Sequence, residues 1–375
     1  MNLGLLLPIG SSFKDQKKVG QDKRFINYYL SKYNKIFDKV YIFSYDKEKQ
    51  NLPKNCFLLD NKYSIHRFLY CFLIPFIYRQ IIKQIDIFRV TQMTGTIPAI
   101  IIKFLYGKPF IFTYGYDYKA FSKLEGQNIR LFLTSILEYI SFYFAKAVIV
   151  TNQSMQNYLS NKYPKSKLIY LPNGVDVTQF KPLNAHKSLF TNRPASLTEK
   201  QSSITILYVG RLERQKNIYS LIKALSLWRK RYKIRLIMIG DGSLKNGILK
   251  AVKKFKLSYT IKSHIPFDQM PVIYQNADIF ILPSLLEGQP KALLEAMACG
   301  LPCIATDLPG IKEFINNKEL LIVKNDYLNL SKAIELLINN PTLRIKLGIN
   351  ARDKICKDYN IEQLLKKEIS ILKDV

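Results

Sequence analysis

At 375 residues with 48% hydrophobic and 13% aromatic content, the chain is long for one core and comfortable for two, since domains typically hold about 100–200 residues; this composition excludes a disordered or low-complexity protein. Its five cysteines, Cys56, Cys71, Cys299, Cys303 and Cys356, lack paired ligand spacing, which argues against a disulfide framework or zinc site and for a reducing compartment. With 57 Lys and Arg against 28 Asp and Glu, net +29, the chain calls for an anionic partner, and anionic lipid, nucleic acid and a phosphorylated substrate all qualify.

The opening MNLGLLLPIG lacks the basic segment and long apolar core of a secretory signal and reads as a β-strand. Leu3–Pro8, Val40–Ser44, Ile87–Val90, Phe110–Tyr114 and Val148–Thr151 are predicted strands with helical patterns between them, the order of a doubly wound α/β domain. Gly20-Gln21-Asp22 precedes a helical run from Arg24 to Lys35. From Ser64 to Asp86, Arg67, Arg79 and Lys83 surround an apolar, aromatic stripe; an interfacial helix on anionic headgroups and a buried helix with snorkelling bases both fit. The apolar runs Phe68–Tyr78 and Phe132–Val150 are too short, or interrupted by Glu138 and Lys146, to span a bilayer. Tyr114-Gly115-Tyr116-Asp117 closes a predicted strand.

Turn residues from Tyr170 to Pro182 end the alternation, so residues 1–182 are expected to form a first domain and the irregular 183–203 a linker. Strands resume at Ile204–Val209, Ile234–Ile239, Ile279–Leu282, Cys303–Ala305 and Leu320–Val323, which predicts a second Rossmann-like domain over 204–358. Within 359–375, Ile361 to Leu372 is one more amphipathic helix. The bases are spread along the chain and no helix-turn-helix, zinc-finger or ribonucleoprotein signature occurs, so nucleic acid is not expected.

The chemistry concentrates in the second half. YVGRLERQKN, Tyr208 to Asn217, puts Gly210 and Arg211 at the end of a strand and Lys216 at the next helix start, where backbone N–H groups and two cations suit a diphosphate. Gly240-Asp241-Gly242 makes a tight turn after a strand. PSLLEGQPKALLEAMACGLP, Pro283 to Pro302, sets Glu287 on a loop and Glu295 eight positions on, inside a predicted helix that Pro290 opens and Gly300 stops. Two acids so placed can grip one extended polyhydroxylated ligand, and the helix mouth can bind an anion. No D-x-D pattern is present, so no metal site is predicted. His66, His186 and His264 form no catalytic set.

These blocks, in this order, resemble the E-x7-E, G-R-L-x-x-x-K-G, P-N-G-V-D and G-I-x-E motifs of family 4 glycosyltransferases, retaining enzymes of GT-B architecture. The resemblance covers nearly the whole chain and is strongest from Tyr208 to Glu313. It implies two Rossmann-like doubly wound domains facing across a cleft, with the C-terminal helix crossing back to the first. It implies that Arg211 and Lys216 hold the leaving nucleoside diphosphate, that Glu287 and the N–H groups of Gly288 and Gln289 face the donor sugar, and that Glu295 takes the ribose hydroxyls. Gly20, Gly210 and Gly242 would lie along the donor; Lys291 suits an acidic sugar or is a surface lysine. Near the base, Ser263 stands at a usual glycine, and Asn217 replaces another. Tyr114 replaces the family's histidine in the Tyr114-Gly115-Tyr116 segment, expected on the acceptor side, and Asp117 either orients the acceptor hydroxyl or caps a helix.

The expected activity is metal-independent, cofactor-free transfer of a hexose-type unit from a nucleotide-diphosphate sugar to a saccharide or lipid-linked acceptor. The abundance of Lys, Asn, Ile and Tyr hints at an AT-rich bacterial genome and so at surface polysaccharide or glycolipid assembly. Peripheral contact with an anionic membrane at the inner face of the cell is expected with it. The alternatives are a nucleotide-sugar epimerase of the same architecture, or a non-catalytic membrane- or polyanion-binding protein.

Overall fold

The computed structural model describes residues 1–18, 20–115, 117–124, 126–183 and 203–374. Tyr116, His186 and nearly all of the predicted linker therefore lie outside the described residues. The chain divides into two compact units, residues 1–172 with 363–375, and residues 173–362.

In the first unit β1 (Asn2–Leu6), β2 (Lys39–Phe43), β3 (Cys56–Leu59), β4 (Ile87–Val90), β5 (Phe110–Tyr114), β6 (Ala147–Val150) and β7 (Leu168–Tyr170) form one parallel sheet in the order β3-β2-β1-β4-β5-β6-β7. In the second, β8 (Ile204–Val209), β9 (Ile234–Ile239), β10 (Ser258–Lys262), β11 (Ile279–Leu282), β12 (Cys303–Thr306) and β13 (Leu321–Val323) are parallel in the order β10-β9-β8-β11-β12-β13. Both are Rossmann-like α/β units. The central strands were readable because a parallel strand covered on both faces is a nearly continuous apolar run. β3, β7 and β10 escaped prediction, and all three are edge strands; SYTIK in β10 carries exposed Ser258 and Lys262.

The helical run after Gly20 spans Asp22–Tyr33, with Phe25–Leu30 wound as a π-helix that buries Tyr28 and Leu30. Gly20 itself, φ +69°, makes the left-handed turn out of helix Phe13–Lys18. The C-terminal helix Ile361–Lys373 packs Leu364 and Leu372 against Leu3, Leu5 and Ile87. Beside them Arg89 on β4 is buried, donating from Nε to Glu368 Oε1 at 2.5 Å and from Nη2 to Thr113 Oγ1 at 2.6 Å.

Residues 173–182 belong to the second unit, not to the first as the turn signals suggested. Side chains hold them there. Arg352 donates to Phe180 O (2.6 Å) and Val177 O (2.8 Å), and Phe180 packs on Phe267 and Tyr274. Among the described residues, no helix is long and apolar enough to cross a membrane.

Candidate active site

In an open parallel sheet, ligands bind beyond the carboxyl ends of strands where the strand order reverses. In the second unit that point lies between β8 and β11, paired neighbours in register Ile279 with Ile206. The loops leaving these two strands carry the two main motifs, so the topology alone brings Arg211 and Lys216 toward Glu287.

After β8 the chain turns through Gly210, whose N–H donates to Ile239 O at 3.0 Å. Leu212 N donates to Asp241 O (2.8 Å) and Gly240 N to Lys262 O (2.9 Å), so this turn, the Gly240-Asp241-Gly242 turn and the end of β10 are bonded side by side. Gly240 sits at φ +151°, and a Cβ there would lie 1.9 Å from Gly210 O, so no side chain fits. Tyr208 is buried and donates its hydroxyl to Arg211 O at 2.7 Å; burial, with the charge of Glu287 adding to it, pushes its phenol well up. Arg211 is exposed, and its Nη2 donates to Gln215 Oε1 at 3.0 Å. Gln215 is buried on the one-turn helix Arg214–Lys216, and its Nε2 donates to Leu286 O at 2.7 Å, while the Gln215 carbonyl accepts from Leu285 N at 2.8 Å. Asn217 follows in a left-handed conformation, φ +49°, which explains why asparagine can stand for glycine there.

Lys216 closes the constellation by donating its Nζ to Glu287 Oε1, which also accepts from Ser284 Oγ at 2.6 Å. Ser284 is in turn pinned through its carbonyl, which accepts from Thr306 Oγ1 at 2.6 Å. Gly310 packs under this loop: a Cβ there would meet Gly288 O at 2.3 Å and Glu287 O at 2.5 Å. The helix is Lys291–Ala298, with Pro290 as its cap residue, one place earlier than its predicted position in the first turn. Lys291 is exposed at the helix mouth. Glu295 is buried and accepts from Tyr274 Oη at 2.9 Å.

Gln289, whose N–H was expected to face the donor, is anchored through its other polar atoms. Its Oε1 accepts from Asn173 N and its carbonyl from Asn173 Nδ2 at 3.0 Å, so it is buried as the tie between the 173–182 segment and the helix mouth. Ser263 accepts from Lys245 Nζ at 2.6 Å. Lys245 also pairs with Asp241 at 3.2 Å; the Gly242 N–H, then Lys245 and Ser263, hold the Asp241 carboxyl below its usual range.

The first unit holds the residues expected on the acceptor side. Tyr114, expected there in place of the family's histidine, is buried. Strand alternation sends it to the same side of β5 as Phe110 and Phe112, into the core, where its hydroxyl donates to Glu138 Oε2 at 2.8 Å. Glu138, 1% exposed, also accepts from Lys162 (2.6 Å), Tyr163 (2.7 Å) and Lys119 (3.2 Å). Burial opposes its ionisation, yet the donors Lys162, Tyr163 and Tyr114 outweigh burial and hold the carboxyl below its ordinary 4.5. Asp117 caps helix Tyr118–Leu124, accepting from Lys119 N (3.1 Å) and Ala120 N (2.9 Å), with Gly115 in the turn before it.

The structure thus joins Arg211, Lys216 and Glu287 and adds Gln215 and Ser284, which sequence reasoning missed. A lone Gln on a single turn and a lone Ser after a strand carry no periodic signal. The exposed Arg211 guanidinium and the Lys216 ammonium can neutralise a diphosphate, with Glu287 at the adjoining mouth. Among the described residues, no group of three His, Cys, Asp or Glu could hold a metal ion.

Residues 190–354 match the family described as Glycosyl transferases group 1, and residues 39–179 match Glycosyltransferase Family 4. An uncharacterised glycosyltransferase of Haemophilus influenzae is 31% identical over 193 residues, covering 50% of this chain and 53% of that protein. The UDP-Gal:alpha-D-GlcNAc-diphosphoundecaprenol alpha-1,3-galactosyltransferase of Escherichia coli is 27% identical over 262 residues, covering 66% and 65%. The matches thus span between about half and two thirds of these relatives' own lengths. The solved structure of sucrose-phosphate synthase from Thermosynechococcus elongatus superposes with a TM-score of 0.80 over 100% of this chain and 98% of that one, at 18% identity, a likeness of fold.

Proposed function

Because the chain belongs to the family 4 glycosyltransferases of GT-B architecture, we propose that it moves a hexose-type sugar from a nucleotide-diphosphate donor to a hydroxyl of a saccharide or lipid-linked saccharide in bacterial surface polysaccharide or glycolipid synthesis. The observation that carries this reading is the Lys216–Glu287 pair, with Arg211 braced by Gln215 beside it, at the strand-order reversal of the second unit. Arg211 and Lys216 stabilise the charge that develops on the departing diphosphate, so turnover proceeds without a metal or other cofactor. Lys216 exchanges Glu287 for the diphosphate as the donor seats, which frees the carboxylate to orient the sugar. Glu295 lies deeper on the same helix and accepts the ribose hydroxyls. The anomeric configuration is retained, and the departing diphosphate takes the acceptor proton on the same face. The galactosyltransferase relative, whose name gives a diphosphoundecaprenol acceptor, supports a lipid-linked acceptor here, and peripheral work at the inner face of the membrane is proposed with it.

The test incubates the full chain with a panel of UDP- and GDP-sugars and a polyprenyl-diphosphate-linked saccharide, and reads the product linkage by NMR. One donor should yield an axial-to-axial or equatorial-to-equatorial transfer that a chelator leaves unchanged. Inverted linkage overturns retention; loss of activity in chelator with recovery in magnesium or manganese overturns metal independence. Conversion of the donor to its epimer without transfer replaces the proposal by an epimerase.

A further inference from the structure

Three helices cover one face of the first unit's sheet: Arg67–Ile77, Thr96–Tyr106 and Asn128–Phe144. They form one layer. Tyr106 donates its hydroxyl to Pro75 O at 2.9 Å, Thr96 Oγ1 and Ser141 Oγ bond at 2.6 Å, and the rings of Phe104 and Phe144 meet edge to face at 4.6 Å. A surface helix ordinarily shows apolar residues to the core and polar ones to water. Here the outward face is apolar as well: Phe72, Phe76, Phe104, Phe132, Ile136 and Tyr143 are all between 40% and 72% exposed. On the third helix Ile129, Phe132, Leu133, Ile136 and Tyr143 recur at helical spacing on the side opposite buried Glu138 and Phe142. So large an exposed apolar surface marks an interaction site.

The charge around it names the occupant. Each helix joins parallel strands of one sheet, so all three run the same way and their C-terminal ends share an edge. Arg79, Lys83, Lys103, Lys108 and Lys146 gather there, and the Lys108 ammonium donates to Lys83 O at 2.9 Å. The three helices contain one acid, Glu138, and it is buried. Asp86, an exposed carboxylate just after Lys83, already accepts from Asn2 N at 2.7 Å. Arg67, expected to belong to this basic fringe, does not: it pairs with Asp15 at 2.8 Å and with Asp46.

We infer that this three-helix face is the surface by which the protein lies on an anionic lipid bilayer, the aromatic and aliphatic side chains entering the headgroup and acyl boundary and the lysine-rich edge resting on the phosphates. This deepens the peripheral attachment proposed above, and its test reads binding without turnover, so an inactive donor site leaves it intact. Purified full-chain protein is floated with vesicles of phosphatidylcholine, with or without phosphatidylglycerol. Wild type should float with the phosphatidylglycerol vesicles and lose binding as salt rises. The variant F72S/F132S should bind about tenfold or more weakly, and K83Q/K146Q should bind more weakly and with less salt dependence. Both should keep the wild-type melting temperature, since these side chains face water. Wild type that ignores the vesicles, F72S/F132S that binds as wild type does, or a discrete dimer by sedimentation that F72S/F132S abolishes would each overturn the proposal.

Discussion

Lys216 and Glu287 are a nearly enclosed ion pair, with side chains 13% and 7% exposed, whereas Arg211 reaches solvent. The two cations should therefore separate activity from stability. Arg211→Ala should lower kcat/KM by about 10²–10³-fold, the usual loss for one preorganised charge-stabilising donor, with an unchanged melting temperature. Glu287→Ala leaves the Lys216 charge without its partner and should cost about 2–3 kcal/mol in denaturant titrations. The double variant Lys216→Met, Glu287→Leu should regain most of that stability and no activity. The cluster at Glu138 makes a pH prediction. Its folded-state value is depressed below 4.5 by Lys162, Tyr163 and Tyr114 against the opposing effect of burial. Its contribution is thus complete above about pH 4.5 and lost as pH falls through the depressed value. Glu138→Gln should flatten that acid limb of the stability curve. Arg211, Lys216 and Glu287 were singled out in the sequence because their blocks together resemble family motifs, an Arg and a Lys five apart being no signal alone. Glu138 was not, since a single acid in an apolar run looks like an interruption until the fold supplies four donors around it.

At the scale of elements, two features decide how the pieces are held. The C-terminal helix is fastened to the first unit through Arg89 and Glu368, 9% and 6% exposed. Glu368→Ala should destabilise the first unit by about 3–5 kcal/mol, measured by urea unfolding, because it strands a buried guanidinium; replacing both partners by apolar residues of similar volume should cost far less. In the second unit the close packing of Gly310 beneath Glu287 and Gly288 sets the height of the loop that carries Glu287. Gly310→Ala should raise the donor KM and lower kcat while the protein remains folded, read from steady-state kinetics beside far-UV circular dichroism. The central strands and the apolar edge strand β13 were readable, whereas the edge strands β3, β7 and β10 were not, for one reason. Burial on both faces demands an uninterrupted apolar run, while an edge strand is specified largely by its neighbour's backbone. Tyr114 shows the same limit. Its place at the end of β5 was predicted, but the side of the sheet it takes follows from pairing with β4 and β6.

Across the whole molecule, two compact units with separate cores predict two unfolding events. Trp228, the single tryptophan, lies in the second unit and reports it alone. Its fluorescence transition should shift when UDP is added, by about 2.7 kcal/mol at a hundredfold excess over Kd. The part of the circular-dichroism transition due to the first unit should stay in place. If both move together, the nucleotide does not belong to the second unit alone. By itself the sequence determined the α/β class and the repetition of that pattern, because local apolar runs and turn residues encode strand, helix and the spacing between them, while Arg211, Lys216, Glu287 and Glu295 were singled out by the family resemblance of their blocks. Tertiary structure decided which of these residues meet. Only the order β9-β8-β11 sets the loop after Val209 against the loop after Leu282, and only the packing of helices on the first sheet turns Tyr114 inward and leaves Phe104 and Phe132 outward. Those outcomes depend on pairings across scores of residues, which no local pattern carries.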